Sequence, residues 1–420
     1  ARASATHAAA MQKAACSKPR ACLPDASNSP LLVYHPQGGL GNCLFGFSSA
    51  ALLATATCRR FAVAWGHNVN RQAGASYAAL FQRPDGIAFV NASEGREMLT
   101  ALGGEPVPSS KGNCTLNLNI HWNKSRPVST LLPSSSDGHA LAMRCPILHV
   151  RGNMYYAPIL ERNSRTARAA RWLRLRGLRC SHGAELPSER READAMPFFA
   201  AISRHLLVPH TAATARANEA SVRTPTEAII GVHVRSTILL ALHKDRRVAA
   251  CGTSLECANL LKTFHFLDCI ANVREAAIKA GYSTSRVYVA ADNAMVRSEA
   301  RRALGNSSIV PTPSYLVPGR EARGKMTTLR GAGLTSSAID EVLLLSRTDG
   351  LVVWDLRESS YSAVAASWAA HRVTEELRSG TRAGRAWLGV HLASSGCARL
   401  TDAQVDPELH EHMATVQTES

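Results

Sequence analysis

His233 and Arg235 are the residues whose types and spacing first suggest chemistry, because they end a short apolar run at 229–235. In a strand, successive side chains point to opposite faces, so an imidazole and a guanidinium two residues apart share one face. A guanidinium fits a phosphate or a carboxylate, and an imidazole beside it can act as a base or contact another oxygen. The run therefore indicates either an anion site at a strand end or an ordinary buried strand followed by a surface arginine.

A second polar group, Ser-Ser-Tyr-Ser at 359–362, stands between a predicted strand at 351–354 and a predicted helix at 363–371. Hydroxyl groups and free amides at the start of a helix suit a phosphate. A serine in this place is equally an ordinary helix N-cap, so both interpretations remain open.

Asp292 is a third candidate, because it follows a predicted strand at 286–290 and precedes a helix predicted to end near Leu304. At the carboxyl end of a strand its carboxylate could bond a ribose or a base, and it could also only cap the helix. Farther along, Ser337 and Asp340 have the spacing of a capping box. That spacing predicts a structural role for Asp340 at a helix start.

A glycine-rich turn at 38–42 follows a predicted strand at 31–35 and precedes a predicted helix at 43–58. Glycine lets the backbone approach a ligand closely, and the helix behind the turn favours an anion or a polar sugar. The turn fails as a dinucleotide-binding fingerprint, because Leu44 occupies the third glycine position and Arg59-Arg60 stand where an acid is needed. A tight turn without a ligand is the other interpretation.

The elements that must position these residues alternate between strand and helix in both halves of the chain. This alternation predicts an α/β fold with two Rossmann-like domains. A polar, alanine-rich stretch at 211–226 marks the predicted boundary. The expected organisation is a stalk or linker at 1–30, an N-terminal domain at 31–222 with a loop insertion around 90–145, a C-terminal domain at 223–396 and a tail at 397–420.

Composition limits the classes of partner. The chain has 420 residues, 45% of them hydrophobic, and a formal net charge of +16, so a sizeable core is available and anions are attracted. Phosphorylated small molecules and acidic glycans fit this charge. Nucleic acid fits less well, because aromatic residues make up only 5% and are not interleaved with the basic runs. A biased genome would also explain the alanine and arginine richness.

The spacing of the cysteine and aspartate residues argues against a metal site. The 11 cysteines are dispersed with no C-x2-C pair, so a zinc site is not expected. No D-x-D pair is present to bind a divalent ion that bridges a nucleotide diphosphate.

Four glycosylation sequons favour a secretory protein. They begin at Asn91, Asn113, Asn123 and Asn306. No apolar run is long enough to span a bilayer, and the chain begins at Ala1, so we expect that a membrane anchor or signal precedes it in the full protein.

Three motifs in order resemble the fucosyltransferase superfamily. They are the turn Gly38-Gly39-Leu40-Gly41-Asn42 after a strand, GVHVR at 231–235, and AIDEVLLLSRTDGLVVWDLRESSYSAVAASW at 338–368. YVAADN at 288–293 fits the strand between the last two. The pattern is closest to the plant-type xyloglucan α-1,2-fucosyltransferases and is also similar to the α-1,6 and protein O-fucosyltransferases.

The resemblance implies a GT-B fold, in which two Rossmann-like domains face each other across a cleft, and metal-independent, inverting transfer of fucose from GDP-fucose to a glycan or protein hydroxyl. It implies no cofactor, a secretory location in the Golgi lumen, and no nucleic-acid partner. The residues that it assigns to the donor site are His233, Arg235, Asp292, Glu341, Ser359, Ser360 and Tyr361. Arg235 would grip the diphosphate, Glu341 would face the guanine, and Gly39, Leu40, Gly41 and Asn42 would line the cleft.

Two questions stay open at this point. His233 and Asp245 are both candidates for the general base that would accept the proton of the attacking hydroxyl. Cys43 and Ser236-Thr237 depart from the family pattern, and they motivate a second hypothesis, a non-catalytic module that binds a glycan or a GDP-sugar.

Overall fold

The computed structural model describes residues 30–36, 39–65, 77–84, 87–89, 115–118, 147–152, 155–161, 166–174, 198–235, 260–311, 332–356, 359–378, 386–400 and 405. The chain divides into two compact units. The first comprises Ala1–Pro209 with His410–Ser420, and the second comprises His210–Leu409. None of the helices in the described ranges combines the length and the apolar character needed to cross a membrane.

The first unit contains a parallel sheet of five strands in the order β3-β2-β1-β5-β4. These strands are β1 Leu31–Pro36, β2 Arg60–Val63, β3 Ile87–Phe89, β4 Thr115–Leu118 and β5 Ile147–Gly152. The helices described here are α1 Leu40–Ala56, α2 Tyr77–Leu80, α3 Ala157–Glu161, α4 at 166–174 and α5 Phe198–His205.

Helix α1 packs into the core of the first unit with nearly all of its surface. Fifteen of its 17 residues are buried, which fits its run of small and apolar side chains and the absence of acidic or basic residues in its first and last turns. Tyr34 of β1 lies so close to Gly46 that an added Cβ at Gly46 would meet the tyrosine hydroxyl. The small residues of α1 therefore let the helix lie directly on the sheet.

The second unit contains another five-stranded sheet, in the order β10-β9-β8-β6-β7. Its strands are β6 Glu227–Val234, β7 Thr284–Ala291, β8 Gly350–Val353, β9 Gly389–Leu392 and β10 Ala398–Leu400, and only β10 runs antiparallel. Its described helices are α6 Thr211–Ala220, α7 Leu260–Thr263, α8 Phe266–Lys279, α9 Ala294–Leu304, α10 Ala332–Ser346 and α11 Ser360–Arg378, with single 3-10 turns at Asn306–Ser308 and Ala393–Ser395. The predicted α/β fold with two Rossmann-like sheets is confirmed.

Strand β6 is the point at which the strand order of the second sheet reverses. The next strand in the chain, β7, pairs with one edge of β6, and the following strand, β8, pairs with the other edge. In open α/β sheets, ligands bind at the carboxyl ends of the strands where the order reverses in this way. The topology therefore directs attention to the residues that end β6 and β8, independently of any sequence motif.

Buried contacts fix the register of β6. The side chain of Asp349 accepts a hydrogen bond from the Ile229 amide at 2.8 Å and pairs with Arg223 at 2.8 Å, and both charged side chains are nearly inaccessible to solvent. Gly231 lies against Thr348 and Leu351, where an added Cβ would be 2.8 Å from Thr348 Oγ1. The strand that carries His233 is thus held by an ion pair at one end and by a close contact at its centre.

The predicted capping box at Ser337 and Asp340 is wrong. Helix α10 begins at Ala332, so both residues lie inside the helix rather than at its start. Asp340 forms a bidentate ion pair with Arg216 of α6 at 2.9–3.1 Å. Its role is structural, as expected, but it joins two helices, and the residues predicted as an interdomain stretch at 211–226 include α6 of the second unit.

Part of the predicted tail is also structured. Ala398–Leu400 forms β10, which pairs antiparallel with β9, and a disulfide joins Cys397 to Cys269 of α8. The disulfide fixes the start of β10, which explains how three residues without apolar periodicity remain on a sheet edge.

We predict that Gly231→Ala lowers the free energy of unfolding by about 1–3 kcal/mol, because overpacking of a well-packed core carries a cost of this size. The new methyl group would press on Thr348 and Leu351 between β6 and β8. Urea denaturation followed by circular dichroism measures the change. Gly39→Ala is the control, since its added Cβ meets no atom within 4 Å. Equal midpoints for the two variants would contradict the prediction.

Candidate functional site

The candidate site lies where β6 ends. His233 is buried with 7% of its surface exposed, and Arg235, one residue beyond the strand, is exposed. The two residues are close enough that the charge of Arg235 acts on the imidazole. The sequence alternatives were an anion site and an ordinary strand end. An exposed arginine after a buried strand is what both alternatives predict, and the position at the reversal point of the sheet is the feature typical of a ligand site.

The imidazole of His233 is held by two residues of α11. Its Nδ1 lies 2.6 Å from Ser362 Oγ, and its ring stacks on Tyr361 with centroids 4.8 Å apart. Burial lowers the pKa of His233 to about 4, because a charged ring would lose its hydration; Asp292 acts to raise this pKa and Arg235 acts to lower it further. His233 is therefore neutral at physiological pH.

Tyr361 connects His233 to a largely buried ion pair. Its hydroxyl is 2.8 Å from the Ala338 carbonyl oxygen and 3.2 Å from Glu341 Oε2, both on α10. Glu341 Oε1 accepts a hydrogen bond from Arg297 of α9 at 3.0 Å, and Arg297 also donates to the Ala291 carbonyl at 2.7 Å. Residues from α9, α10 and α11 thus meet behind the end of β6.

Burial decides the protonation states of Glu341 and Tyr361. Burial raises the pKa of Glu341, opposed by the charge of Arg297 and the hydrogen bond from Tyr361, with Asp292 raising it further. Burial also raises the pKa of Tyr361 well above its ordinary value, and the neighbouring Glu341 adds to the shift. Tyr361 is therefore a neutral hydroxyl, and Arg297 is the positive charge that supports an ionised Glu341.

The start of α11 offers free amides beside His233. Ser359 is the N-cap, because its Oγ accepts a hydrogen bond from the Ser362 amide at 3.4 Å and its carbonyl accepts from Ala363. In the described part of the chain no acceptor bonds the amides of Ser360 and Tyr361. The serine cluster therefore does both things that the sequence left open: it caps the helix and leaves donors available for an anion.

Asp292 does not cap α9. The N-cap is Asn293, whose side chain accepts a hydrogen bond from the Met295 amide at 2.8 Å. The charge of Asp292 instead acts on His233 and on Glu341. Of its two sequence interpretations, the structure removes the helix cap and leaves the ligand contact.

The glycine-rich turn belongs to the first unit. Gly39 is the N-cap of α1 in an extended conformation and makes no side-chain cap, so Leu40, Gly41 and Asn42 form the first helical turn. None of the described residues accepts a hydrogen bond from these three amides. Cys43, in the next position, is fully buried. The predicted helix therefore begins three residues earlier than expected and includes the candidate residues.

The structure brings His233, Arg235, Asp292, Glu341, Ser359, Ser360 and Tyr361 to one edge of the second unit. Ser236-Thr237, Asp245 and the insertion around 90–145 lie outside the described residues. Sequence reasoning missed two members of the group, Arg297 and Ser362. Ser362 could have been found from its position three residues after Ser359, a predicted N-cap. Arg297 has no local sequence feature that marks it, since its partner Glu341 is 44 residues away.

One group among the described residues has the ligand types and spacing for a metal ion. It comprises Cys269, His391 and Cys397, whose candidate ligand atoms all lie within 4.8 Å of one another. Two of these three atoms are already joined in the disulfide.

Comparisons with known proteins were made with both sequence and structure. No protein-family model and no curated protein matches the chain. By structure, the chain is similar to GDP-fucose fucosyltransferases. The fucosyltransferase NodZ from Bradyrhizobium is 15% identical over 81% of this chain and 94% of its own, with a TM-score of 0.44.

Two further similar structures are FUT1 of Arabidopsis thaliana in complex with GDP and POFUT1 in complex with GDP-fucose. FUT1 is 14% identical over 87% of this chain and 73% of its own, with a TM-score of 0.47. POFUT1 is 12% identical over 82% and 95%, with a TM-score of 0.40. Because these identities and TM-scores are low, a function has to be argued from the residues of this chain.

We predict that Arg297→Met lowers the free energy of unfolding by about 3–5 kcal/mol at pH 7, because it leaves Glu341 as an unpaired, largely buried charge. The double variant Arg297→Met, Glu341→Leu should lose much less. The pKa of Glu341 in the folded protein is already raised and rises further in Arg297→Met. The folded state therefore binds more protons than the unfolded state, and the loss in the single variant should shrink as the pH falls toward 5.

Urea unfolding of the wild type, the two single variants and the double variant at pH 5 and pH 7 measures these differences as a double-mutant cycle. Arg286→Met is the matched control. Arg286 pairs with Glu227 at the opposite end of β6, and the side chain of Arg286 is more exposed than that of Arg297, 29% against 15%, so a weaker pair is expected. An equal loss from Arg286→Met and Arg297→Met, or no pH dependence, would contradict the assignment of Glu341 as the charge that needs a partner.

Proposed function

We propose that this protein is a glycosyltransferase that moves fucose from GDP-fucose to a hydroxyl of a glycan or protein, by metal-independent, inverting displacement. The observation that carries the proposal is a group of hydrogen-bond donors at one edge of the second unit. Arg235 is exposed beside a neutral, buried His233, at the reversal point of the sheet and next to the free amides of α11.

These groups suit a diphosphate leaving group. Breaking a sugar–phosphate bond places negative charge on the oxygens of the diphosphate. The guanidinium of Arg235 can bind two of those oxygens at once, and the amides of Ser360 and Tyr361 add donors that need no reorganisation.

A nucleoside fits the other side of the same edge. Glu341 has two carboxylate oxygens, and each accepts one hydrogen bond from Arg297 or Tyr361, which leaves further lone pairs. A carboxylate acceptor suits the adjacent N–H groups of guanine, and Asp292 suits a ribose hydroxyl. The family resemblance of the motifs supports the same assignment of guanine to Glu341.

The acceptor side falls to the first unit. We assign Gly39, Leu40, Gly41 and Asn42 to acceptor binding because α1 begins there with three amides that no described residue uses. Cys43 is fully buried, so its difference from the family pattern changes the core of α1 rather than the lining of a site. This favours the enzyme over the non-catalytic binding module.

We also propose a secretory location, in the Golgi lumen. Its support is the set of four sequons in the chain. One of them, at Asn306, lies within the described residues. Asn306 is exposed, in a 3-10 turn that follows α9. An exposed turn is where an acceptor asparagine is accessible to a glycosylating enzyme.

We predict that Arg235→Ala reduces transfer from GDP-fucose by about 100- to 1,000-fold, as expected for the loss of one preorganised donor to a developing anion. Arg235→Lys should recover little, because a point charge does not replace a planar fork. GDP release in the presence of a panel of glycan and protein acceptors measures the rates. Arg301→Ala, which removes an exposed arginine at the far end of α9, is the control and should keep normal activity.

The same assay separates the competing interpretations. Retention of activity in EDTA supports metal-independent transfer, and sensitivity to EDTA would contradict it. Tight binding of GDP with no turnover on any acceptor would favour the binding module. Normal turnover by both Arg235 variants would show that the diphosphate is bound elsewhere.

We predict that Asn306 carries an N-linked glycan when the protein is expressed through a eukaryotic secretory pathway. Asn306→Gln should then abolish one step of the mobility shift that a peptide N-glycosidase produces, because the exposed turn is accessible. Ser308→Ala should have the same effect, since it destroys the same sequon without changing the asparagine. An unchanged glycan mass in both variants would argue against modification at this turn.

A further inference from the structure

The two ring nitrogens of His233 have different surroundings. Nδ1 faces Ser362 Oγ at 2.6 Å, whereas Nε2 has no partner among the residues that the structure describes. A neutral imidazole has one N–H, and the hydrogen bond at one nitrogen decides which nitrogen carries it. The role of His233 therefore depends on the direction of the hydrogen bond with Ser362.

The position of Ser362 in its helix decides that direction. Three serines inside helices of this chain, Ser48, Ser49 and Ser203, donate to the carbonyl four residues earlier at 2.8–3.1 Å, whereas the hydroxyl of Ser367 has no partner among the described residues. Ser362 lies in the first turn of α11, and its hydroxyl contacts only His233 in the described part of the chain. Among those residues, His233 Nδ1 is therefore the one acceptor for its hydroxyl hydrogen.

The opposite direction of the hydrogen bond between Ser362 and His233 would be less favourable. If Nδ1–H donated to Ser362, the hydroxyl hydrogen of a serine with 2% of its surface exposed would have no acceptor among the described residues. An unmade hydrogen bond of a buried donor is costly, whereas donation by Ser362 satisfies both groups and leaves an N–H at Nε2.

We propose that Ser362 is a positioning residue that holds His233 as the Nε2–H tautomer, so that the ring donates a hydrogen bond to an anionic oxygen of the bound nucleotide sugar and does not serve as the general base. This inference rests on the proposed function for the identity of the ligand, but the tautomer itself can be measured without any ligand. It adds Ser362, which was outside the predicted site, and it decides between the two roles that the sequence left open for His233, a contact to the donor and the general base.

The groups that face His233 support this role. Asp292 and Arg235 act on it with opposite charges, Tyr361 covers one face of its ring, and Glu341 bonds that tyrosine from behind. Burial keeps the pKa of His233 near 4, so the ring neither gains a proton at neutral pH nor accepts one readily from a hydroxyl. A neutral donor beside Arg235 adds a directed hydrogen bond without adding charge.

The tautomer can be read directly by NMR. In protein labelled with 15N at histidine, Nδ1 and Nε2 have distinct shifts when protonated and unprotonated, and the His233→Gln spectrum identifies the His233 signals among the 16 histidines. We expect the unliganded wild type to show an unprotonated Nδ1 and a protonated Nε2 from pH 5.5 to 8. A protonated Nδ1, or a mixture of the tautomers in equal amounts, would overturn the proposal.

Binding of GDP then tests the function of the N–H. Ser362→Ala should mix the two tautomers and weaken GDP binding by about 3- to 10-fold, in line with the loss of one hydrogen bond. Ser362→Thr keeps the hydroxyl and should restore the tautomer. Ser367→Ala is the matched control, because Ser367 is a buried serine on the same helix whose hydroxyl has no partner among the described residues.

Substitutions of His233 separate a donor at Nε2 from a role at Nδ1. The amide nitrogen of Gln reaches the position of Nε2, whereas that of Asn lies near Nδ1. We expect His233→Gln to keep more GDP affinity and more transfer activity than His233→Asn. The reverse order, or a pH profile in which activity falls with the His233 titration, would overturn the donor role. If the wild type binds no GDP, the proposed function fails, while the NMR result still decides the tautomer.

Discussion

The buried carboxylate of Glu341 is the constraint on which the rest of the donor edge depends. A charge in this position is stable only with a partner, and Arg297 supplies it from another helix. The same carboxylate bonds Tyr361, and the ring of Tyr361 covers His233. One desolvated charge thus fixes the relative positions of α9, α10, α11 and β6. The site is rigid because the alternative, an unpaired carboxylate in the interior, is far less stable.

Topology places that network at the edge where it can act. The strand order reverses at β6, and in open α/β sheets such a reversal leaves a crevice beyond the carboxyl ends of the strands. The polar groups at this edge form two layers. Glu341, Arg297 and Tyr361 satisfy one another behind the strand end, and Arg235 and the amides of α11 remain available in front. His233 lies between the layers, bonded on one side and open on the other.

The sequence predicted the repeating elements well, because they depend on local apolar patterns. The α/β fold and the strand that carries His233 followed from the run at 229–235 and its counterparts. Partners distant in the chain could not be predicted. Asp340 has the spacing of a capping residue, yet it pairs with Arg216, 124 residues away. Arg297 has no local feature that indicates Glu341. Residues 398–400 lack periodicity, and a disulfide and an antiparallel neighbour hold them instead.

The chemistry of His233 shows why residue type alone does not define a role. An exposed histidine with an ordinary pKa would be a natural base, and the sequence offered it as one. Burial removes that option, since desolvation penalises the protonated ring by more than Asp292 can restore. His233 is therefore a neutral ring with one N–H, and we infer that the hydroxyl of Ser362 decides which ring nitrogen carries it. In the proposed reaction, the second unit gathers donors, both charged and neutral, where the leaving diphosphate would develop negative charge. The proton acceptor of that reaction would then be a group other than His233.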